Sequence, residues 1–402
     1  MKDFILEQPR QIPVSQECEV LVAGGGIAGI AAALAAARNH KDVILLEREF
    51  ALGGLATLGL VTIYLPLCDG KGNQLIYGIA EELLKVSIMH GAEQNYPAAW
   101  LDGGTLEERL AKRYMTQFNP HLFALEVEKM LKELGVRILY GSVAVAAVTE
   151  NERITEVIIE NKSGRSAISV QSVIDATGDA DLCHLSGAPT AEYAKKSGLA
   201  SWYYYLNEGK HRLKMFGLAD IVVEQGNSTG NETVDVISSR RYSGTDGQEL
   251  SEMVVDAHQL MYQDIMKARE SAPDLVPVTI STIPLMRMSR KLVGEYALDE
   301  AESHQYFEDS IGMTGDWRKR GPAFEIPFRC LYSNQVRNLL AAGRDISVTD
   351  PMWDITRVIP PCAVTGEAAG TAAALTSDFP TLDVAELQEQ LKKQGVKLHW
   401  NE

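Results

Sequence analysis

The segment from Val20 to Glu49 constrains the fold more than any other part of the sequence. Its residues are VLVAGGGIAGIAAALAAARNHKDVILLERE. A short apolar run, three consecutive glycines, an alanine-rich run and a second apolar run follow one another. This order predicts a strand, a tight turn, a helix over 27–39 and a buried strand over 42–47. The result is a βαβ unit, so we expect an α/β protein.

The glycines of this unit match the pattern G-x-G-x-x-G. Gly24 permits a tight turn, Gly26 lets a pyrophosphate approach the backbone, and Gly29 lets the helix pack closely on the strand. The helix N-terminus offers unpaired N–H groups and about half a positive charge. Glu47 ends the second strand 23 residues after Gly24, where a carboxylate can accept ribose hydroxyl hydrogens. The pattern predicts a dinucleotide site. The alternative is a close-packed turn that binds no ligand.

Composition and charge exclude several classes of protein. The 402 residues are enough for two domains. The formal net charge of −16 argues against non-specific binding to nucleic acid or anionic membranes. No stretch approaches the roughly 18 uninterrupted apolar residues of a membrane span. The first residues, MKDFILEQPRQIPVSQECEV, do not resemble a secretory signal, so we expect a cytoplasmic protein, and an oligomer stays open.

The cysteines and histidines predict no metal site. The five cysteines are odd in number, far apart and without a C-x-x-C pair, which argues against a disulfide framework and against zinc or iron–sulfur ligation. We expect reduced, mostly buried thiols. The eight histidines form no pair at metal-ligand spacing.

Patterns further along the chain predict a discontinuous nucleotide-binding domain. A helix follows Asn119, which can cap it, and ends at Gly135. A long amphipathic helix begins near Thr245 with the capping-box pattern T-x-x-Q. Strand and small-residue helix patterns of the first type return after residue 337. We predict a nucleotide domain of residues 1–66, 113–192 and 321–402, and an inserted α+β substrate or cap domain of residues 67–112 and 193–320.

Three later motifs narrow the dinucleotide. They are GGLAT at 53–57, VIDATGDADL at 173–182, and NLLAAGRDISVTDPMWDITRVIPPCAVTG from residue 338. With the first βαβ unit they resemble the FAD-binding family of glutathione-reductase-like folds. The closest resemblance is to the bacterial FAD-dependent oxidoreductases that carry GG-x-A-T-x-G near the start and A-G-R-x-I-S…R-V-x-P-x-C near the end. The resemblance spans nearly the whole chain, is weakest over 193–280, and is specific for FAD but not for a substrate.

The resemblance implies which residues hold FAD. It implies contacts to the ADP half from Gly24, Gly26, Ile27, Ala28, Gly29, Glu47 and Arg48, and to the adenine from the backbone of Val143. The residues implied to line the path toward the flavin are Gly53, Gly54, Leu55, Ala56 and Thr57. Those implied to pass near the pyrophosphate or ribose are Ala176, Thr177 and Gly178. The residues implied to lie near the ribityl chain are Gly343, Arg344 and Asp345. The helix that is implied to point its N-terminus at the flavin contains Pro361 and Val364. Gly366 and Gly370 are expected to pack this helix on the first βαβ unit.

Several motifs of related flavoproteins are absent from the sequence. No redox cysteine pair follows the GG pair, no second G-x-G-x-x-G marks a nicotinamide domain, and no cysteine cluster marks an iron–sulfur centre. Thiol–disulfide chemistry is therefore not expected. The flavin would exchange electrons directly with a molecule that docks beside it.

Four residues are candidates for catalysis, each with a structural alternative. Arg357 could anchor a substrate oxygen or stabilise reduced flavin, or it could pair with Asp354 or Asp350. Asp350 stands where the family commonly has a histidine; it could act as an acid or base if its pKa is raised, or form a loop salt bridge. Tyr64 could reach the flavin or belong to the core. Arg287 could form an anion pocket or a salt-bridged hinge.

These observations predict an enzyme that moves a hydride between flavin N5 and a small organic substrate under the cap domain. The arginines hint at an anionic or oxygen-rich substrate. The external electron donor or acceptor is not identified by the sequence. Two alternatives remain open: a flavin-bearing electron-transfer subunit that serves a partner protein, and a flavin monooxygenase.

Overall fold

The structure, a computed structural model, describes residues 5, 7–217 and 238–401. Its strands are Val14–Ala23 (β1), Val43–Glu47 (β2), Ile63–Tyr64 (β3), Thr116–Gln117 (β4), Arg137–Tyr140 (β5), Val143–Glu150 (β6), Arg153–Asn161 (β7), Gly164–Asp175 (β8), Thr190–Glu192 (β9), Ser197–Gly198 (β10), Ser201–Asn207 (β11), Lys210–Phe216 (β12), Arg241–Tyr242 (β13), Val276–Ile280 (β14), Arg290–Leu292 (β15), Ser310–Gly315 (β16), Ala323–Pro327 (β17) and Leu339–Ala341 (β18). Its α-helices are Ile27–Arg38 (α1), Gly78–Ser87 (α2), Ala98–Leu101 (α3), Leu106–Ala111 (α4), Pro120–Glu133 (α5), Asp181–Leu185 (α6), Gly247–Ser271 (α7), Asp350–Thr356 (α8), Ile359–Leu375 (α9) and Val384–Lys393 (α10).

A seven-stranded sheet forms the centre of the fold. Its order is β5-β2-β1-β8-β7-β6, and β18 also pairs with β8. The pairs that join β5, β2, β1, β8 and β18 are parallel, whereas β6 and β7 are antiparallel additions. The predicted α/β class with a Rossmann-like parallel sheet is therefore confirmed, as is the βαβ unit formed by β1, α1 and β2.

Helices α1 and α9 pack against each other at backbone distance. A Cβ added at Gly366 would lie 2.2 Å from the carbonyl oxygen of Ala28, and one added at Gly370 would lie 2.2 Å from that of Ala32. Almost every residue of both helices is buried. The prediction that these two glycines pack α9 on the first βαβ unit is confirmed.

A smaller antiparallel sheet lies outside this core. Its order is β12-β11-β14, and the Tyr203 hydroxyl on β11 donates to Asp264 on α7 at 2.6 Å. The N-cap of α7 is Asp246, whose carboxylate accepts the Glu249 N–H at 2.7 Å. The capping box predicted to start near Thr245 is wrong by one residue, because the aspartate takes the capping bond. Residues 218–237, inside the predicted cap segment, lie outside the described residues.

The predicted ends of α5 and the expected state of the cysteines agree with the structure. Asn119 caps α5 by accepting the N–H groups of His121 and Leu122 at 3.1 and 3.0 Å, and Gly135 has a positive φ of 79° just after it. All five cysteines are buried free thiols, as expected. Within residues 5, 7–217 and 238–401, every helix is too short or too polar to cross a membrane. The same residues contain no group of three or more His, Cys, Asp or Glu side chains that could hold a metal ion.

The α1–α9 contact predicts that a single added methyl group strongly destabilises the fold. We expect Gly370→Ala to lower the free energy of unfolding by about 2–3 kcal/mol, because its Cβ would overlap a backbone oxygen that cannot move alone. Gly247→Ala is the matched control, since its Cβ would meet nothing within 4 Å at the start of α7. Urea denaturation measures both variants. Equal stabilities would contradict the contact.

A buried carboxyl joins α9 to α2. Glu367 is 1% exposed, and its Oε2 accepts the Ile79 N–H at 2.8 Å in the first turn of α2. Among the hydrogen bonds of the described residues, the buried Oε1 has no partner. Burial raises the pKa of Glu367 to about 8. The carboxyl therefore holds its proton at neutral pH while it caps a neighbouring helix.

This carboxyl predicts a pH dependence of stability. Between pH 4.5 and about 8 the folded protein holds a proton on Glu367 that the unfolded chain has released, so the free energy of unfolding falls as pH rises across this window. We expect Glu367 to lower the free energy of unfolding across this window by a few kcal/mol at most, on the order of 1.4 kcal/mol per pKa unit. In Glu367→Gln, whose amide oxygen can still accept the Ile79 N–H, the slope should become flatter. A slope unchanged by the substitution would assign the dependence to other groups.

Candidate functional site

Four loops meet at one edge of the sheet because each follows a parallel strand. The glycine loop follows β1, Arg48 follows β2, Ala176 follows β8 and Ala342 follows β18. Ligands of open parallel sheets bind at this carboxyl edge. The sequence motifs that lie far apart along the chain are thus brought together.

The outer glycines of the first loop are required by packing. Gly24 has φ +103°, and a Cβ there would lie 2.3 Å from the Ala176 carbonyl oxygen. A Cβ at Gly29 would lie 1.8 Å from the carbonyl oxygen of Gly24. These contacts agree with the turn and packing roles predicted for the two residues.

The middle glycine faces open space. A Cβ at Gly26 would meet nothing within 4 Å. Gly26 is the N-cap of α1, which has no side-chain cap, and the first N–H groups of a helix lack partners within the helix. Ile27 and Ala28 form the first turn. This space therefore lies at the positive end of a helix dipole and is suited to an anion.

Glu47 closes the loop from the neighbouring strand. It is 6% exposed, and its two carboxylate oxygens accept the N–H groups of Gly25 at 2.7 Å and Glu49 at 2.8 Å. Burial raises its pKa above the usual range. The Ser142 N–H donates to the Glu47 carbonyl at 3.1 Å, which brings the start of β6, Val143, beside it. Arg48 is half exposed.

The GGLAT segment folds onto the glycine loop. The Gly53 N–H donates to the Gly25 carbonyl at 2.8 Å, and Gly54 begins a short 3₁₀ turn that ends at Ala56. The Thr57 hydroxyl donates to the Leu52 carbonyl at 2.6 Å, which fixes the end of the segment. Leu55 packs against a cluster that includes buried Trp202 and Leu285 from the smaller sheet region.

Asp345 presents a buried oxygen to this edge. Its Oδ2 accepts the N–H groups of Gly178 and Ala180, each at 3.2 Å. Its Oδ1 is buried, and no described residue forms a hydrogen bond with it. Burial and nearby Asp175 raise the pKa of Asp345 well above its usual range. An unpaired buried oxygen of this kind fits a ligand hydroxyl.

Arg344 ties three loops together. Its guanidinium donates to the carbonyls of Gly178 at 2.6 Å and Met286 at 2.8 Å and pairs with Asp179. Its own carbonyl accepts the indole N–H of Trp353. The side chain therefore supports the position of the 343–345 loop.

The first turn of α9 borders the same loop. The Gly343 N–H donates to the Thr365 hydroxyl at 3.0 Å. The N-cap, Val358, makes no side-chain capping bond, and Pro361 is buried in the first turn. Val364 contacts the backbone of Gly312 on β16. A second helix N-terminus thus lies at the carboxyl edge of the sheet.

Two of the catalytic candidates form ion pairs. Arg357, just before α9, pairs with Asp354, which matches the first structural alternative. Asp350 accepts from Lys291 at 3.0 Å. The Lys291 ammonium lies 4.4 Å from the centre of the Trp353 ring, and burial lowers its pKa.

The other two candidates lie inside the protein. Tyr64 is fully buried, and its hydroxyl donates to the Ala80 carbonyl at 2.6 Å. The Arg287 guanidinium donates to the Gly217 carbonyl, and neighbouring Arg290 pairs with Asp181 at 2.7 Å. For Tyr64 the contact favours the alternative of a core residue, whereas the role of Arg287 stays a prediction. No pattern in the sequence singled out Lys291, because its partner Asp350 lies 59 residues away in the chain.

The family of the chain follows from its sequence. Residues 19–221 and 195–391 match the family described as FAD dependent oxidoreductase. The chain belongs to this family. FAD is therefore its cofactor, and the expected redox class is confirmed.

The relatives of this flavoprotein are distant. The chain is similar to an L-aspartate oxidase of Mycobacterium bovis, with 27% identity over 201 residues, covering 43% of this chain and 37% of that protein. It is also similar to a glutathione reductase of Schizosaccharomyces pombe, with 25% identity over 254 residues, 61% of this chain and 49% of that protein. The chain thus spans less than half the length of these relatives. A solved geranylgeranyl bacteriochlorophyll reductase-like protein of Thermoplasma acidophilum has 13% identity and a TM-score of 0.46, with 94% of this chain and 82% of that chain covered.

The residues present at the carboxyl edge fit FAD. The open space beside Gly26 suits a pyrophosphate, and the unpaired Oδ1 of Asp345 suits a sugar-chain hydroxyl. A bound dinucleotide explains both features, whereas no contact within the described residues does.

The open space at Gly26 predicts a separation of folding from cofactor binding. We expect Gly26→Ala to change the free energy of unfolding of the FAD-free protein by less than about 1 kcal/mol, because the added methyl meets no protein atom. FAD affinity should fall at least ~10-fold, or about 1.4 kcal/mol, because the methyl enters the anion site. Fluorescence titration with FAD measures the affinity.

Gly29→Ala provides the contrast, since its Cβ would collide with the Gly24 carbonyl and should destabilise the fold itself. Wild-type FAD affinity in Gly26→Ala would show that the space is not the pyrophosphate site.

Proposed function

We propose that this protein transfers a hydride between flavin N5 and a small organic substrate. The observation that carries the proposal is the meeting of two helix N-termini and two glycine-bearing loops at one sheet edge. FAD supplies the hydride-accepting or hydride-donating ring. The protein supplies binding, orientation and electrostatics.

The proposed cofactor contacts follow the glutathione-reductase type of FAD domain. Gly26, at the N-terminus of α1, would hold the pyrophosphate, and Glu47 would accept the ribose hydroxyls. Val143 would contact the adenine. Asp345 would bind the ribityl chain, and Gly53 and the start of α9 would contact the flavin.

The N-terminus of α9 is proposed to stabilise the reduced flavin. Reduced flavin carries negative charge on its pyrimidine side, and a helix N-terminus favours a negative charge. The helix has no side-chain cap that would compete for its first N–H groups. The dipole of α9 would therefore raise the reduction potential of the flavin.

The substrate is proposed to bind under the cap domain of residues 67–112 and 193–320. Support comes from the packing of Leu55, in the GGLAT segment, against Trp202 and Leu285. These cap residues would therefore lie beside the proposed path to the flavin. A roof of this kind excludes water from a hydride transfer.

Arg357 is proposed to anchor the substrate. Its side chain is 12% exposed, and it precedes the flavin-facing helix by two residues. Asp354, its partner, holds the guanidinium in place and leaves other N–H groups for an anionic or oxygen-rich substrate. Asp350 and Lys291 form a second charged pair at α8 that could hold or move a proton.

Anaerobic reduction of the bound flavin across a panel of small acids, alcohols and amines tests this function. We expect Arg357→Gln to slow reduction by the active compound by about 100-fold with FAD content unchanged, because a charge-assisted contact to the substrate is lost. Arg329→Gln is the control, since Arg329 makes a similar ion pair with Asp309 at 2.9 Å on an exposed surface.

Two results would contradict the proposal. Purified protein without a flavin absorbance spectrum would exclude the cofactor site. Reduced protein that reacts rapidly with oxygen to form a flavin hydroperoxide, and is not reduced by any compound of the panel, would favour a monooxygenase.

A further inference from the structure

Basic side chains from three separate segments gather on one face of an acidic protein. The chain carries a formal net charge of −16. We call the following set the basic face: Lys71, Lys112, Arg113, Arg318, Lys319 and Arg320. Five of the six residues lie in the predicted cap segments, and none of the six is proposed to hold FAD or to anchor the substrate.

Hydrogen bonds between the segments hold the face together. The Gly321 N–H donates to the Asp69 carbonyl at 2.8 Å. Arg320 donates to the carbonyl of Leu110 at 2.5 Å, and Arg113 donates to the carbonyl of Trp317 at 2.7 Å. The loops at 69–73, 109–113 and 316–320 therefore form a single fixed surface.

Most positive charges of the face remain available to a partner, whereas Arg318 is paired with the carboxylates of Asp316, Glu300 and Asp354. Arg113 and Arg320 donate to backbone carbonyls, and neither forms an ion pair with a described residue. Lys71, Lys112 and Arg320 are exposed. The Lys319 side chain is 63% exposed, and among the described residues its only short contact to a carboxylate is 3.8 Å, to buried Asp316.

A small cavity extends the face. It has a volume of about 270 Å³ and is lined by Arg109 and Lys397 among others. Among the residues that the structure covers, neither of these two cations forms an ion pair with a carboxylate. The excess of positive charge thus continues beside Lys71.

The basic face touches the proposed flavin end of the protein. Arg318 lies 3.5 Å from Asp354, and the Trp317 indole N–H donates to the Asp354 carbonyl at 2.9 Å. Asp354 pairs with Arg357, which directly precedes the N-cap of α9. A molecule bound on this face would lie next to the start of that helix.

We propose that the basic face docks an acidic protein that carries one-electron redox equivalents and exchanges them with the flavin. This inference rests on the proposed function, which leaves the external electron donor or acceptor open. Two carrier molecules each change by one electron while the flavin changes by two, with a proton exchanged with solvent. The acidic remainder of the surface repels such a carrier, so the face also orients it.

Binding of a small acidic redox protein as a probe tests the docking directly. An acidic [2Fe–2S] ferredoxin is titrated against the FAD-loaded enzyme at low ionic strength. We expect Lys71→Gln/Lys112→Gln/Lys319→Gln to weaken binding about 10-fold, because three attractive charges are removed. The matched control, Lys132→Gln/Lys162→Gln/Lys267→Gln, removes the same charge from exposed sites outside the face and should not weaken binding.

Salt dependence and electron exchange give two further readouts of the docking. Affinity for the ferredoxin should fall steeply with added salt in the wild-type enzyme. Its electron exchange with the flavin should slow in the triple variant of the face, whereas reduction by dithionite stays unchanged.

Three results would overturn the docking proposal. They are equal ferredoxin affinity of the two triple variants, equal binding of a basic cytochrome c, and tight binding to phosphatidylserine vesicles in place of ferredoxin. Each of these can occur while a small compound still reduces the flavin, so the failure of the docking proposal is distinguishable from failure of the proposed function. A protein that binds no FAD would instead overturn the function.

Discussion

The backbone contact between α1 and α9 is the constraint on which the rest of the structure depends. Gly366 lies against the carbonyl of Ala28, and Gly370 lies against that of Ala32. Because both positions advance by four residues in the same direction, the two helices run parallel. Their N-termini therefore point to the same edge of the sheet, where the five parallel strands end. Two positive helix ends and a set of loop amides are thus concentrated where an extended, anionic cofactor would bind.

The electrostatics of the molecule are divided between this edge and its surroundings. Two buried carboxyls, Glu47 and Asp345, lie at the carboxyl edge with pKa values raised mainly by burial. Such groups suit neutral hydroxyls of a ribose and a ribityl chain, whereas the helix ends suit the pyrophosphate and the reduced flavin. The basic face adds a third, exposed region next to Asp354. The proposed enzyme would then bind its substrate under the cap and an electron carrier on the basic face.

The parts of the site that depend on local sequence were predictable. The glycine loop, the acid at the end of β2 and the helix glycines have fixed spacing along the chain, so the pattern alone indicates their roles. Contacts between distant segments were not predictable. The bond from Glu367 to Ile79 spans 288 residues, and Lys291 meets Asp350 across 59. The catalytic roles of Tyr64 and Arg287 stay predictions, since the same residue types suit a core and an active site equally well.

The structure of the protein crystallised with FAD is the measurement that tests the central claim most directly. The account predicts electron density for the pyrophosphate in the space beside Gly26, a ribityl hydroxyl within hydrogen-bond distance of Asp345 Oδ1, and the flavin at the first turn of α9. Density for FAD at another place, or a bound FAD that leaves the space beside Gly26 empty, would contradict it.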